Sequence, residues 1–281
     1  MFQGDLKSLD YILQTLDAKT YAIPGVIVNP NLNVTAGGES VFFYTRSTAT
    51  AASGNAGDSV SYTVKGNKRI DVALTSRFSI GAIIPYVNVA AVTPDAIGDK
   101  VIQETIQQSN LYNVAFLTAL AAGATAKEYT HDATAFAALL EGIADFKVDN
   151  KISGLAPTGV LASPTFFSEL IADSKIHLAI TFKEAADQAV RQLNIPGVPV
   201  PVVECADLSA VSFIVVNSEG VVAPIVAKTL EVVSSVSVGY PGGTLIAGEL
   251  PYGFKIVTKS DDLTLDTTVG YLVSKYTEAT V

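Results

Sequence analysis

Two histidines, His131 and His177, and one cysteine, Cys205, are all the imidazole and thiol that this chain has to offer chemistry. Neither histidine has a second imidazole or a thiol at ligand spacing, which argues against a zinc site and against a cysteine–histidine nucleophile pair. His177 stands between Ile176 and Leu178 in an apolar run, as a structural histidine does, and His131 precedes a helix signal. Cys205 reads as a small buried apolar side chain, and being single it excludes an internal disulfide framework. No Gly-x-Ser-x-Gly elbow is present. Gly239 to Thr244 is rich in glycine but lacks the Gly-Lys-Ser/Thr ending that would hold phosphates and Mg²⁺. Asp145 with Asp149, and Asp261 with Asp262, lack the alternating oxygen spacing of a calcium loop and read as solvated carboxylates. The sequence therefore predicts no catalytic, cofactor-binding or metal-binding residue, and no enzyme.

One basic cluster remains, Lys65, Lys68 and Arg69, with Tyr62 as its only aromatic neighbour. Nucleic-acid surfaces interleave bases with several aromatics and neutralise phosphates, whereas this chain carries a net charge of −9. The charge is unevenly spread: residues 1–77 hold seven basic and six acidic side chains, and residues 78–281 hold eleven and twenty-one. A weakly basic front attached to an acidic body suits head-to-tail contact between copies. Hydrophobic residues make up 49% and charged residues 16% of the 281, against a usual charged share of about 25%. So low a share fits either apolar surface that other subunits cover or an Ala- and Val-rich soluble domain. Met1 to Thr20 has no apolar core of a secretory signal, because Asp5, Asp10 and Asp17 interrupt it. No apolar stretch approaches the roughly 18 residues that span a bilayer.

Stepping along the chain, residues 1–37 read as an arm. Leu9, Ile12, Leu13 and Leu16 fall at helical spacing, and Ile23 to Val34, with Pro24 and Pro30, reads as extended. The arm is expected to have little core of its own. Residues 38–76 read as a long two-arm ribbon, Val41–Thr45 returning as Ser59–Leu74, with a small-residue tip at Ala49–Asp58 and a bulge or tight turn at Gly66-Asn67. A ribbon of this kind is marginal alone, and both arm and ribbon are expected to rest on sister molecules.

Phe78 to Val92 reads as an apolar strand. Thr93-Pro94-Asp95 then combines a hydroxyl cap, a first-turn proline and an acidic residue, which opens a helix. Ile97, Val101, Ile102, Ile106, Leu111, Val114, Leu117 and Leu120 carry it to Gly123, about 28 residues or roughly 42 Å. Its polar middle, Gln103 to Asn110, predicts a face that is wet or meets a partner. An α/β lobe follows. Phe136, Leu139, Leu140, Ile143 and Phe146 share a helix face, Ser163-Pro164 caps a helix to Ile171, and Thr181 to Glu184 is a capping box opening a helix to Leu193. Strands are expected at Gly159–Ala162, Lys175–Ile180, Val198–Glu204, Ser212–Val216, Ala223–Ser234 and Gly253–Lys259.

Taken in order, arm, hairpin, long helix, α/β lobe and closing strands resemble the tailed-bacteriophage major capsid proteins, an α+β architecture of the Hong-Kong-97 type. The hairpin 38–76 resembles their extended E-loop, and Arg77-Phe78-Ser79-Ile80 resembles the entry into the peripheral domain. The helix in 77–123 is similar to the spine helix. Residues 124–232 resemble the axial domain, through Pro157 to Pro164 and Ile195 to Val200, and residues 233–281 the closing peripheral strands, through Gly248 to Val257.

The resemblance implies a structural protein whose copies form hexamers and pentamers of an icosahedral shell around double-stranded DNA, without sequence-specific binding. It implies a virion protein assembled in the host cytoplasm, with a separate scaffolding protein or none, a portal, no membrane and no cofactor. Tyr62, Lys65, Lys68 and Arg69 become inter-subunit contacts of the E-loop, in a shell without covalent cross-links. An encapsulin-type nanocompartment shell is the nearest alternative, a small α/β enzyme the second, and a tail or decoration protein the third.

Overall fold

The computed structural model describes residues 19–35, 39–44, 48–51, 62–65, 69–85, 94–131, 134–150, 155–173, 181–182, 192–208, 211–226, 231–234, 243–257 and 272–278. The ribbon comes first. Strand β1 (Asn33–Val34) borders β2 (Ser40–Tyr44), which pairs antiparallel with β5 (Arg69–Ala73); farther out, β3 (Thr48–Ala51) pairs with β4 (Tyr62–Lys65). Tyr44 stands opposite Arg69 and Thr48 opposite Lys65, so three residues separate the two ladders on each arm. The register is unbroken across the interruption, with no net residue inserted of the sort a bulge brings. Gly66 and Asn67 themselves, and most of the tip, lie outside the described residues.

The alternation of β2 and β5 fixes which face is covered. Val41, Phe43, Ile70 and Val72 turn inward and are buried, and the last three form a small core with Leu155, Val222 and Val257. The base of the ribbon thus rests on its own chain, contrary to expectation. The seat is tight: a Cβ on Gly253 would run into the carbonyl oxygen of Ala73 at the end of β5.

Strand β6 (Ser76–Pro85) leads to helix α1 (Pro94–Gly123), which at 30 residues is about 45 Å long. The rest of the chain runs β7 (Thr125–His131), α2 (Ala135–Asp149), β8 (Gly159–Ala162), α3 (Pro164–Ala172), β9 (Thr181–Phe182), β10 (Gln192–Asn194), β11 (Val202–Glu204) and β12 (Phe213–Val216). It closes with β13 (Val221–Val222), β14 (Glu231–Ser234), β15 (Gly243–Tyr252), β16 (Lys255–Ile256) and β17 (Leu272–Glu278). β15 pairs with β6 along its whole length and with β14 on its other side. A seven-stranded mixed sheet, in the order β7-β17-β12-β8-β11-β10-β9, makes the second lobe. Helix α2 covers it through Ala138, Leu139, Ile143 and Phe146, and α3, capped by Ser163 as expected, through Phe166, Phe167 and Leu170.

One apolar core runs through both lobes. Tyr112 of α1 is fully buried among the rings of Phe78, Phe116, Tyr252 and Phe254, and its hydroxyl donates to the carbonyl of Ala223 at 2.9 Å. That phenol ties the long helix to the strands that close the chain.

Several expectations need correction. Thr181 and Phe182 pair with Asn194 and Leu193 as strands, so neither Phe182 nor Leu193 is helical; a capping box is a local signal, and here ladder pairing outweighs it. Of the expected strand Ala223–Ser234 only its end is a strand, β14; Ala223 and Pro224 follow β13, and Ile225 makes an isolated bridge to Tyr252. Val198–Glu204 shortens to β11 because Gly197 is left-handed (φ 85°) and Pro199 and Pro201 follow it. The expected strand Gly253–Lys259 holds only the short β16, and the strand that the resemblance begins at Gly248 begins at Gly243, as β15. Pro251 disguises it, and it is tolerated there because β14 reaches no farther than Ala247. Leu140 is turned out to solvent, off the face of its neighbours. Thr105, Ser109 and Asn113, on or just past the polar middle of α1, are buried, while Gln103, Gln107 and Asn110 are exposed. The expected strand Lys175–Ile180, with His177, lies outside the described residues.

The largest correction concerns the arm. Residues 19–29 lie on their own chain, with Tyr21, Ile27 and Val28 inside the main core. Residues 1–18 lie outside the description.

Candidate assembly surface

The outer face of the ribbon carries the residues that the inner core leaves over. Phe42 and Tyr44 of β2 and Arg69 and Asp71 of β5 share it, Tyr44 being opposite Arg69 and Phe42 opposite Asp71, with Asn33 of β1 opposite Phe42. The Arg69 guanidinium lies 4.0 Å from the centre of the Phe42 ring, and Phe42 meets Tyr44 edge to face with centroids 5.9 Å apart. Arg69 Nε and Nη2 both donate to Asp71 Oδ1, at 2.9 and 2.6 Å. The arginine is thus held over an aromatic face with its charge answered on the strand, while 57% of Tyr44 faces solvent. A flat, preorganised aromatic and arginine surface of this type binds protein at low entropic cost.

Of the four contact residues named from sequence, Arg69 alone has a described side chain, and it joins this cluster. Tyr62 and Lys65 hold strand positions in β4, opposite Ala51 and Thr48. Lys68 lies outside the described residues. Sequence reasoning missed Phe42 and Tyr44. The signal was present: Val41-Phe42-Phe43-Tyr44 is apolar on both alternating faces, as strands are when both faces are covered.

A second exposed apolar patch lies on α1, where Leu111 and Val114 stand one turn apart and are 65% and 52% exposed. A third is Leu140 and Val148 of α2. Both patches are on the helices' solvent sides, opposite the stripes that pack inward.

The buried titratable groups point away from catalysis. Tyr21 donates through its hydroxyl to Asp207 Oδ2 at 3.3 Å and accepts there from the Ala206 N–H at 3.0 Å. Burial, followed by the nearby Cys205 and Asp207, holds this phenol well above its ordinary range. Burial, then Asp207 and Glu204, also pushes the Cys205 thiol up, so it remains a protonated, fully buried side chain. Among the described residues no three acidic, histidine or cysteine side chains form a group that could hold a metal ion, and no helix is long and apolar enough to cross a membrane.

This arrangement of ribbon, long helix and sheet lobe is the fold of phage capsid proteins. A capsid structure of the cyanophage P-SCSP1u superposes with a TM-score of 0.54 at 12% identity, over 88% of this chain and 86% of that one. The mature capsid of bacteriophage PhiM1 gives 0.56 at 14% identity, over 93% and 88%. A virus-like particle from Pyrococcus furiosus gives 0.57 at 8% identity, over 98% and 100%. No family model and no curated protein matches the chain.

Proposed function

We propose that this chain is the major capsid protein of a tailed phage, of the Hong-Kong-97 type, whose copies associate as hexamers and pentamers into an icosahedral shell around double-stranded DNA. One observation carries the reading: the likeness to phage capsid structures runs over 88–93% of the chain and most of each partner, so the whole molecule, not one motif, has that shape. The role is structural, not enzymatic. The outer ribbon surface of half-buried Phe42 with exposed Tyr44 and Arg69 supports contact between copies, and the net charge of −9 suits a wall that does not grip its polyanionic content.

In this reading residues 1–37 are the N-terminal arm, 38–76 the E-loop, 77–123 the peripheral domain with its spine helix, 124–232 the axial domain and 233–281 the closing strands. Strand β17 is an exception to that division, since it lies between β7 and β12 in the axial sheet. The subunit is a virion protein assembled in the host cytoplasm with a portal and a separate scaffold or none. Its E-loop, including Tyr62, Lys65, Lys68 and Arg69, makes contacts without covalent links.

Negative-stain microscopy of the expressed protein, with nuclease treatment of the purified particles, tests the reading. Closed shells are expected, enclosing nuclease-protected DNA when made during infection. A nanocompartment shell is the second reading, favoured by the superposition with the Pyrococcus furiosus particle over 98% of this chain and all of that one. Shells that co-purify with an enzyme and hold no protected DNA would select it.

A further inference from the structure

Residues 19–29 bind four separate parts of their own chain. Asn113 of α1 grips the start, its Nδ2 donating to the Lys19 carbonyl at 2.9 Å and its Oδ1 accepting from the Tyr21 N–H at 3.1 Å. Tyr21 then reaches the loop after β11, where its hydroxyl meets Asp207 and the Ala206 N–H. Farther on, the Val26 carbonyl accepts from Thr158 Oγ1 at 2.7 Å, and the segment presses on β8 so closely that a Cβ on Gly159 would lie 2.8 Å from Val26 Cγ1 and 2.9 Å from Ile27 Cδ1. Ile27 is fully buried. The Asn29 N–H ends the segment on the Val221 carbonyl at 2.8 Å.

The far side of the segment is tethered as well. β1 begins at Asn33 and pairs with β2 of the same ribbon, so only residues 30–32 link the Val221 anchor to the ribbon. Three residues span at most about 10 Å. A segment on so short a leash cannot be handed to another subunit unless the ribbon base goes with it, and that base is packed on its own Leu155, Val222 and Val257.

We infer that residues 19–29 form a strap that stays on its own subunit inside the particle and yokes α1 to the seven-stranded sheet, so that whatever the arm gives to a second copy begins upstream of Lys19. The particle setting rests on the shell reading; the strap itself does not. Upstream, the sequence spaces Leu9, Ile12, Leu13 and Leu16 as the apolar face of a helix would be spaced, and these are the residues this inference assigns to a sister molecule.

The test is a disulfide between strap and sheet, Val26→Cys with Gly159→Cys, where the new sulfur takes the place of Val26 Cγ1; Cys205 is buried and does not compete. Oxidised particles run on a non-reducing denaturing gel should give one band of single-chain mass with raised mobility. A ladder of dimers and larger species would overturn the inference. If no particles form, the shell reading fails, while the same gel on the soluble chain still decides the strap. If the double variant does not fold, unmodified protein serves: subunits labelled with ¹⁴N and ¹⁵N are mixed, assembled and cross-linked from Lys19 to the carboxylates of Glu204 and Asp207. Linked peptides of one isotope only are expected, and mixed-isotope links in about half of the pairs would refute it. Removing residues 2–18 should leave the melting temperature unchanged and cut particle yield at least tenfold; full yield would overturn the upstream role.

Discussion

The strap and the ribbon base are neighbours in sequence, and both were expected to have no resting place on their own chain, yet they are built in opposite ways. The strap is held on its polar side by Asn113, Thr158 and Asp207 and sinks Ile27 into the main core, leaving little for another molecule to touch. The ribbon base buries Phe43 and Ile70 and leaves Phe42, Tyr44 and Arg69 outside, one face spent on the fold and one kept for contact. The difference teaches that a segment's poverty in regular structure does not decide where it lies. What decides is whether both of its faces find partners within the chain, and in the ribbon one does not.

This contrast can be broken by substitution. Phe43→Ala strikes the inner face and should cost about 3–5 kcal/mol in a urea titration of the unassembled subunit, the range for emptying a buried aromatic site. Gly253→Ala pushes a methyl group into the Ala73 carbonyl, a backbone atom that cannot step aside, and Gly159→Ala pushes one against the Val26 and Ile27 side chains and the Val26 carbonyl beneath the strap. Each should lose about 1–3 kcal/mol by the same titration. Asn113→Ala strands the Lys19 carbonyl and the Tyr21 N–H together, for about 1–3 kcal/mol, and should raise hydrogen exchange at residues 19–22 ahead of the rest of the core.

On the outer face the expectation reverses. Tyr44→Ala and Arg69→Ala should leave folding within about 0.5 kcal/mol of the parent, yet lower the yield of particles in sedimentation. A large folding loss there would erase the contrast. The smallest effect concerns pH. Tyr21 in the folded chain keeps its proton at pH values where the unfolded chain, titrating near 10.0, has released it. The unfolded state then binds fewer protons, so stability is intact below pH 10 and declines as pH rises beyond it. Tyr21→Phe should flatten that decline in thermal melts between pH 9 and pH 11, and an unchanged slope would remove Tyr21 from the account.

Much of the architecture was legible because its signals are local. Thr93-Pro94-Asp95 and Gly123 bracket α1, Ser163-Pro164 opens α3, and the alternation of Val41, Phe43, Ile70 and Val72 draws the ribbon. What escaped depends on distant partners. β15 hides behind Gly248 and Pro251, and its strand character comes from β6, more than 150 residues earlier. β7 and β17 pair parallel from opposite ends of the lobe, and Thr181-Phe182 reads as a helix start until β10 pairs with it. The arm misled for a related reason. Its prolines and asparagines are the marks of an extended segment, but Asn29 is spent on backbone groups of the same chain, and Asn113 of α1 is spent on the arm's own backbone. Arg69 was found because charge clusters are visible in sequence, whereas Phe42 and Tyr44 were hidden in a run that looked like core.

The central claim is that the exposed ribbon face and the capsid fold belong to a subunit that closes with copies of itself into a shell. Multi-angle light scattering on the purified full-length chain measures this most directly. The account predicts a narrow peak in the megadalton range whose particles appear hollow by electron microscopy. A species with the mass of one or two chains, unchanged over a wide range of concentration and salt, would contradict it.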